Sequence, residues 1–408
     1  PSCPLRCPRC GARPGSGARA SLPLPDRAPV RAPLTRYSGL PRPAARALLA
    51  LWLALVVLAA FIPIRAGEDE APVYAASAPA TPPAPAARAR DADLQLYDDV
   101  IARLRHGEHY YAIIAQEHRQ HRFPLHPGFA VRLPTLAVIE AALPPAAMAP
   151  LAVLLIGAIL LAWWRKLGDD PSAAPLRLLA ITALLLGVGI GTTRYFFVLH
   201  ELWAGQLLAL ALGLHRPDKG RWLGAWLCAA LALAIREHAL PFVLLMGALA
   251  LWQRRWAEGA AWAGLALAFV GAMAVHLHLV GQMVLPSDPP SASWITLRGA
   301  TGWLSMVVLS GNLRLLPHGL AGPLAVASLL GWSAWKSRAG LIGLLLQTGY
   351  GAGFMIAGRG DNYYWGMVVA PTLLVGLAFA PAALRDLWQA SEMGRKAIAL
   401  APRPVQRT

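Results

Sequence analysis

Two aspartates, Asp91 and Asp93, open the longest acid- and histidine-bearing stretch of an otherwise apolar chain, residues 91–134. A carboxylate in such a place can take a proton from an attacking hydroxyl or amine. Arg194, His200, Arg236, His238 and Arg359 recur farther along, and His126 lies inside the stretch. Arginine and histidine can hold a departing phosphate and stabilise its growing charge. Glu201, Glu237, Asp288 and Asp361 accompany them. A single essential carboxylate suits a displacement with inversion, whereas glycoside hydrolysis needs two. Read together, Asp91-Ala-Asp93 is instead half of a divalent-metal site, and two carboxylates alone are a weak signal for one.

The elements that must position these groups follow from periodicity. Leu94, Tyr97, Ile101 and Leu104 make one apolar stripe on a helix that Asp91 or Asp93 caps and His106-Gly107 ends. A second short helix runs from Glu108 to about His121. Two amphipathic helices beside an apolar span suit a segment lying on a membrane surface. Within them, Asp99 and Arg103 read as a surface pair four residues apart. Glu117-His118-x-x-His121 lacks a third metal ligand in sequence and reads as a polar helix face.

Composition sets the class. Of 408 residues, 56% are hydrophobic and 14% charged, against roughly 25% charged in soluble proteins. Long apolar runs between short basic loops predict an all-α, polytopic helical membrane protein with a large first outer loop carrying the amphipathic helices. Spans are expected at 48–64, 146–164, 176–192, 200–214, 221–236, 239–252, 259–280, 319–335, 340–357 and 363–381, ten crossings with both termini cytoplasmic. Residues 129–143 read as a half-inserted helix and 303–316 as an interfacial one. All four lysines, Lys166, Lys219, Lys336 and Lys396, fall in the predicted inner loops, as the positive-inside rule requires. The net charge of +16 therefore sets orientation, and nucleic acid is excluded as a partner. The polar set (Asp91, Asp93, Arg194, His200, Glu201, Arg236, Glu237, Arg359, Asp361) falls on the outer side. Ionisable residues at such depth are costly and mark function; the competing reading is that Arg236–Glu237 and Arg359–Asp361 are structural pairs. Tyr110-Tyr111, Tyr363-Tyr364 and the 15 Trp fit an interfacial aromatic belt.

Residues 1–46 are Arg- and Pro-rich and read as a disordered cytoplasmic tail. Cys3, Cys7 and Cys10 lack a fourth nearby ligand for zinc, and no Met precedes Met148, which points to a misassigned start. The transmembrane domain is 47–385, with a Pro-rich linker at 66–90 and a cytoplasmic tail at 386–408.

Asp93-Leu-Gln-Leu-Tyr97 with Gly107 ten residues beyond, and Arg132-Leu133-Pro134, resemble motifs of the GT-C superfamily of integral-membrane glycosyltransferases. His200-Glu201-Leu-Trp-Ala-Gly, Ile235-Arg236-Glu237 and the 358–366 string Gly-Arg-Gly-Asp-Asn-Tyr-Tyr-Trp-Gly are similar to strings in bacterial members. The resemblance covers residues 47–385 in layout and only short motifs in detail; Leu94 stands where the family continues an acid pair. It implies transfer of a sugar from a polyprenyl-phosphate donor to a lipid or polysaccharide acceptor on the outer, periplasmic face of a bacterial inner membrane. Asp93 or Asp91 would be the base, and Arg194, His200, Glu201, Arg236, Glu237, Arg359, Asp361 and His126 would bind substrate. Membrane lipids are the other partner. No cofactor is expected, the alternative being a divalent metal at Asp91/Asp93. The alternative functions are a lipid or solute transporter or flippase, and a non-catalytic binder of lipid-linked glycan. A transporter would show internal repeats and polar groups at the midplane, and neither is present.

Overall fold

A computed structural model describes residues 35–67 and 90–400, with side chains to 392. Readings that fall on 1–34, with Cys3, Cys7 and Cys10, on the linker 68–89 and on 401–408 lie outside the described residues. Within them the chain is helical, with only isolated bridges and no strand. Among the described residues, five helical segments are long and apolar enough to cross a membrane, or six if a pair bent by 45° near residue 379 is one span. They include α1 (Arg42–Ala59), α5 (Met148–Asp169), α6 (Arg177–Val188), α10 (Trp256–Gly281) and α13 (Arg338–Ile356). Only 11% of the α1 window and 17% of the α10 window is buried against protein. A helix apolar all round yet uncovered by protein needs lipid around it, so the chain is a helical membrane protein.

Between these stand shorter helices: α7 (His200–Leu214), α8 (Leu223–Ile235), α9 (Leu240–Trp252), α11 (Gly299–Leu309) and α12 (His318–Ala334). At 1.5 Å per residue, a 13-residue helix such as α8 or α9 rises roughly 20 Å, short of a roughly 30 Å hydrocarbon core. The break between α8 and α9 falls at Arg236-Glu237-His238.

The first loop folds as three helices, α2 (Ala92–Arg105), α3 (Tyr110–Gln120) and α4 (Thr135–Ala142). Of the expected stripe, Leu94, Tyr97 and Ile101 are buried and Leu104 partly so; Val100 joins them in the core, and Gly107 takes φ +87° at the turn. Burying each large apolar side chain contributes about 1.5–3 kcal/mol.

Four expectations are corrected. Residues 35–46 are ordered, not part of a disordered tail: Thr35 Oγ1 donates to Asp386 (2.7 Å), and Tyr37 packs with Leu330 and Leu387. The helix α15 (Ala380–Leu400) runs on beyond 385 and lies against α1, where Arg42 Nε donates to the Ser391 carbonyl. The helix α11 does not turn its apolar residues outward as a surface-lying helix would, for Trp303, Leu304, Met306 and Val308 are buried against protein. Residues 363–381 are not one continuous helix. The chain runs as 3-10 turns over Gly360–Val368 and Leu374–Ala378, with the four-residue α14 (Ala370–Leu373) between them. Close backbone approach explains the unwinding. A Cβ on Gly366 would strike the Met306 carbonyl of α11, and one on Gly376 would strike the Ser328 carbonyl of α12. The broken segment is thus wedged into the bundle, and its first turn presents residues 359–365 to the loop helices.

The basic loops read as one side do meet. Asp169 pairs with Arg216 (3.0 Å) and Lys219 (2.8 Å), Asp218 with Arg338, and Glu258 with both His215 and Arg255. The aromatic belt is less apt: Trp163, Trp262, Trp332 and Trp335 are fully buried.

Candidate functional site

The sequence places Asp93 at a helix start, and the fold gives that start a partner surface. A cavity of about 710 Å³ opens between the first turn of α2 and the 359–365 turn. Asp91, Asp93, Arg236, Glu237, Arg359 and Asp361 all line it, joined by Tyr97, His118, Arg132, His238, Tyr364 and Trp365. Six of the ten expected site residues are therefore brought together.

Asp91 occupies the cap position of α2 but makes no side-chain cap bond, so capping does not occupy its carboxylate. Asp93 Oδ1 accepts the Leu94 amide (2.9 Å), and no ion pair engages it among the described residues. Burial is the largest influence on it and raises its pKa above the ordinary aspartate value; Arg132 opposes this and Asp91 adds to it. A carboxylate with raised proton affinity and no cation clamped to it is equipped to take a proton.

The basic side is ordered by acids. Arg132 reaches Glu201 (2.5 Å), whose other neighbour is Arg236 (2.9 Å), and Arg236 also meets Glu237 (2.7 Å). Arg132 lies over the rings of Tyr97 (5.5 Å) and Tyr364 (5.4 Å), a geometry for cation–π attraction. Arg359 pairs with Asp361 (3.0 Å) two residues on and closes the first turn of the 3-10 segment. The structural pairs weighed from sequence are thus real, and they sit inside the cavity wall. Their exposures separate them: the Arg236 side chain is 6% exposed, that of Arg359 21% and that of Asp361 59%. An exposed pair is worth about 0–1 kcal/mol, so an incoming anion can displace Asp361 from Arg359 at small cost. Arg236 is held more firmly.

His200 and Glu201 begin α7 beneath the cavity, fully buried; His200 Nε2 bonds the Leu133 carbonyl at 3.2 Å. Arg194 is exposed in the 3-10 turn Arg194–Phe196 and does not line the cavity. His126 stands apart, its Nε2 donating to the Asp288 carbonyl (3.0 Å) beside a separate cleft. Asp288 is structural: Arg119 (2.8 Å) and the Leu285 amide hold it, and the Arg119 hydrogen bond drives its pKa down to about 2.

Two residues lacked an assigned role. Arg132 stands out in sequence only within Arg132-Leu133-Pro134, and its partner Glu201 is 69 residues away. His118 bonds the Pro124 carbonyl through Nδ1 (2.9 Å), leaving Nε2 buried without a partner. Burial pushes its pKa down to about 4, so it is a neutral imidazole whose Nε2 can accept a hydrogen bond. The Asp99–Arg103 pair is corrected too: Asp99 meets His121 and Gln95, while Arg103 bridges Glu108 and Glu117.

A second cavity of about 690 Å³ shares Phe129, Glu237, His238 and Trp365 with the first. It runs between α9, α10 and α13 and is lined by apolar residues such as Pro241, Phe269, Met273 and Phe354. The charged cavity thus adjoins a largely apolar one across these shared residues.

Asp91 and Asp93 gather no third ligand; among the described residues the one group of three close metal-ligating side chains is Asp99, Glu117 and His121. No protein-family model matches the chain, and no curated protein or solved structure matches it.

Proposed function

We propose that the chain is a membrane glycosyltransferase that moves a sugar from a polyprenyl-phosphate donor to an acceptor at the outer membrane surface. One observation carries this reading: a cavity with a half-buried aspartate free of ion pairs, lined also by arginines, adjoins a largely apolar cavity between helices. A lipid-linked phosphate sugar has that same division, a charged head on an apolar tail.

In this mechanism Asp93 deprotonates the acceptor hydroxyl or amine. The acceptor attacks the anomeric carbon, the bond to the phosphate oxygen breaks, and the configuration inverts. The polyprenyl phosphate leaves with the bonding electron pair and needs charge stabilisation more than a proton. Arg359 leaves Asp361 to hold that phosphate. Arg236, fixed by Glu201 and Glu237, positions its own guanidinium at the cavity wall and donates to the same group. Asp91 keeps the proton affinity of Asp93 high, and His118 Nε2 accepts from a sugar hydroxyl.

The topology belonging to this reading has ten crossings, both termini in the cytoplasm and the loop helices α2–α4 outside, in a bacterial inner membrane. Its support is the segregation of basic loops from the cavity-lining set. Short helices α7–α9 suffice because their ends meet a protein-lined cavity rather than lipid.

The test is direct photocrosslinking of the purified chain with a polyprenyl phosphate that carries a photoreactive group in its tail. Crosslinks in α9, α10 or α13, competed by unlabelled polyprenyl phosphate and not by the free prenol, support the reading. Crosslinks that the prenol competes equally remove the phosphate from it.

A further inference from the structure

Away from the cavity, α2 and α3 carry a second cluster that the transfer reaction does not use. Asp99 projects from α2, Glu117 from α3 and His121 from the residue that caps the end of α3. One ligand atom from each lies within 4.8 Å of the other two. His121 Nε2 is 2.9 Å from Asp99 Oδ2 and 3.8 Å from Glu117 Oε2. Around a tetrahedral zinc with ligands at about 2.0–2.1 Å, donor atoms stand roughly 3.3 Å apart. The three atoms therefore need only small side-chain adjustments to share one ion.

An independent observation points to a missing partner. Glu117 is 4% exposed, and its Oε1 accepts from Arg103 (2.8 Å). Its Oε2 is buried and has no hydrogen-bond donor. The one Nε2–H that His121 can offer is taken by Asp99, and 3.8 Å is too long for a second bond. A buried carboxylate oxygen without a donor costs about 1–3 kcal/mol or more. A cation between these groups would remove that cost. The charge balance fits a dication: Asp99, Glu117 and Glu108 carry three negative charges, and Arg103, which bridges Glu108 and Glu117, carries one positive. The remainder is −2. Asp99 is partly open to solvent, with its side chain 36% exposed, which leaves room for a water as fourth ligand.

We infer that Asp99, Glu117 and His121 bind one divalent transition-metal ion of the zinc class, which clamps α2 to α3. Imidazole nitrogen with two carboxylates suits zinc rather than calcium or magnesium, which prefer all-oxygen shells. Binding takes the neutral His121 tautomer whose proton sits on Nδ1, so the Nε2 lone pair faces the ion with no net proton released from the ring, and both carboxylates bind ionised. The ion would sit about two helical turns along α2 from Asp93, so its role is to hold the loop helices rather than to touch substrate.

The experiment uses the full chain in detergent with Cys3, Cys7 and Cys10 changed to serine, so that thiolates cannot compete. After chelator treatment and removal of the chelator, zinc is titrated against a chromophoric competitor, and cobalt is added separately as a spectroscopic probe. The expected result is one tight zinc per chain, cobalt bands in the visible region, and a higher Tm with zinc. Asp99→Asn and His121→Gln should each weaken zinc by more than the roughly 10–100-fold that loss of an outer-shell partner costs, and abolish the Tm rise. Asp99→Asn is the safeguard against misfolding, since it alters a partly exposed residue and keeps its shape. No stoichiometric zinc in the parent, or an affinity unchanged in Asp99→Asn, overturns the inference.

Discussion

Arg132 and Glu201 meet at 2.5 Å beneath the cavity, and both are buried. Their contact ties the loop after α3 to the first turn of α7, 69 residues on, and Arg236 joins it from the break after α8. Three separate segments thereby fix one cavity floor. Removing one member of such a group leaves a buried charge uncompensated, which costs about 3–5 kcal/mol. Glu201→Ala should therefore lower the detergent Tm markedly, whereas Arg359→Leu, at a more exposed pair, should barely move it. Thermal unfolding of the two variants side by side checks this; equal shifts would mean that the floor is not held by Glu201.

Arg359 should be the functional arginine that stability does not reveal. With Asp361 exposed and easily displaced, Arg359→Leu should raise the donor KM, lower kcat, or both, because phosphate charge grows as the bond breaks. Lysine should restore part of the loss, having the charge without the planar fork. Steady-state kinetics with a polyprenyl-phosphate sugar decide it, and an unchanged Arg359→Leu enzyme would return the pair to a purely structural role.

The apolar cavity should choose substrates by tail. Gly353 lies on its wall with nothing within 4 Å of where a side chain would start. Gly353→Leu should fill that space and weaken binding of a long polyprenyl phosphate more than that of a short-chain analogue. Competition for the photoreactive lipid by both compounds, compared with the unsubstituted protein, measures the ratio. A ratio that does not change places the tail elsewhere.

The raised pKa of Asp93 has two consequences of opposite character. Its ionised form is the base, so kcat/KM should fall as pH drops through a value above the ordinary 3.8. For stability the sign reverses: the fold prefers the protonated form, so this residue favours folding most at low pH. That contribution declines as pH rises from 3.8 to the folded pKa. Asp93→Asn should consequently fold at least as stably as the parent at neutral pH. An acid limb at or below 3.8 would argue against half-buried Asp93 as the base.

Much of this was legible in sequence because it is local. The 3.6-residue stripe of Leu94, Tyr97 and Ile101 gives α2, and the turn at Gly107 gives its end. Hydropathy places α7 at 200–214 and the other helices near their observed limits. Polar residues at the ends of apolar runs point to Asp93, Arg236 and Arg359, which do converge. What escaped depends on contacts between distant segments. Hydropathy cannot distinguish a continuous span at 363–381 from a broken one, since Gly366 and Gly376 are short of side chain only because α11 and α12 carbonyls press on them. Helical spacing paired Asp99 with Arg103, but the turn at Gly107 brings His121 nearer to Asp99. Arg132 carried no local sign of Glu201.

The central assignment, Asp93 as base in an outer-face sugar transfer, is tested most directly in the cell. The chain's gene is deleted from its host, the strain is complemented with the parent or with Asp93→Asn, and envelope lipids and polysaccharides are compared by mass spectrometry. Loss of one glycosyl mass on deletion is expected, with restoration by the parent and none by Asp93→Asn present in the membrane at parental level. The loss should be nearly complete, since a general base contributes a factor on the order of 10²–10⁴. No glycosyl change on deletion, or full restoration by Asp93→Asn, would contradict it.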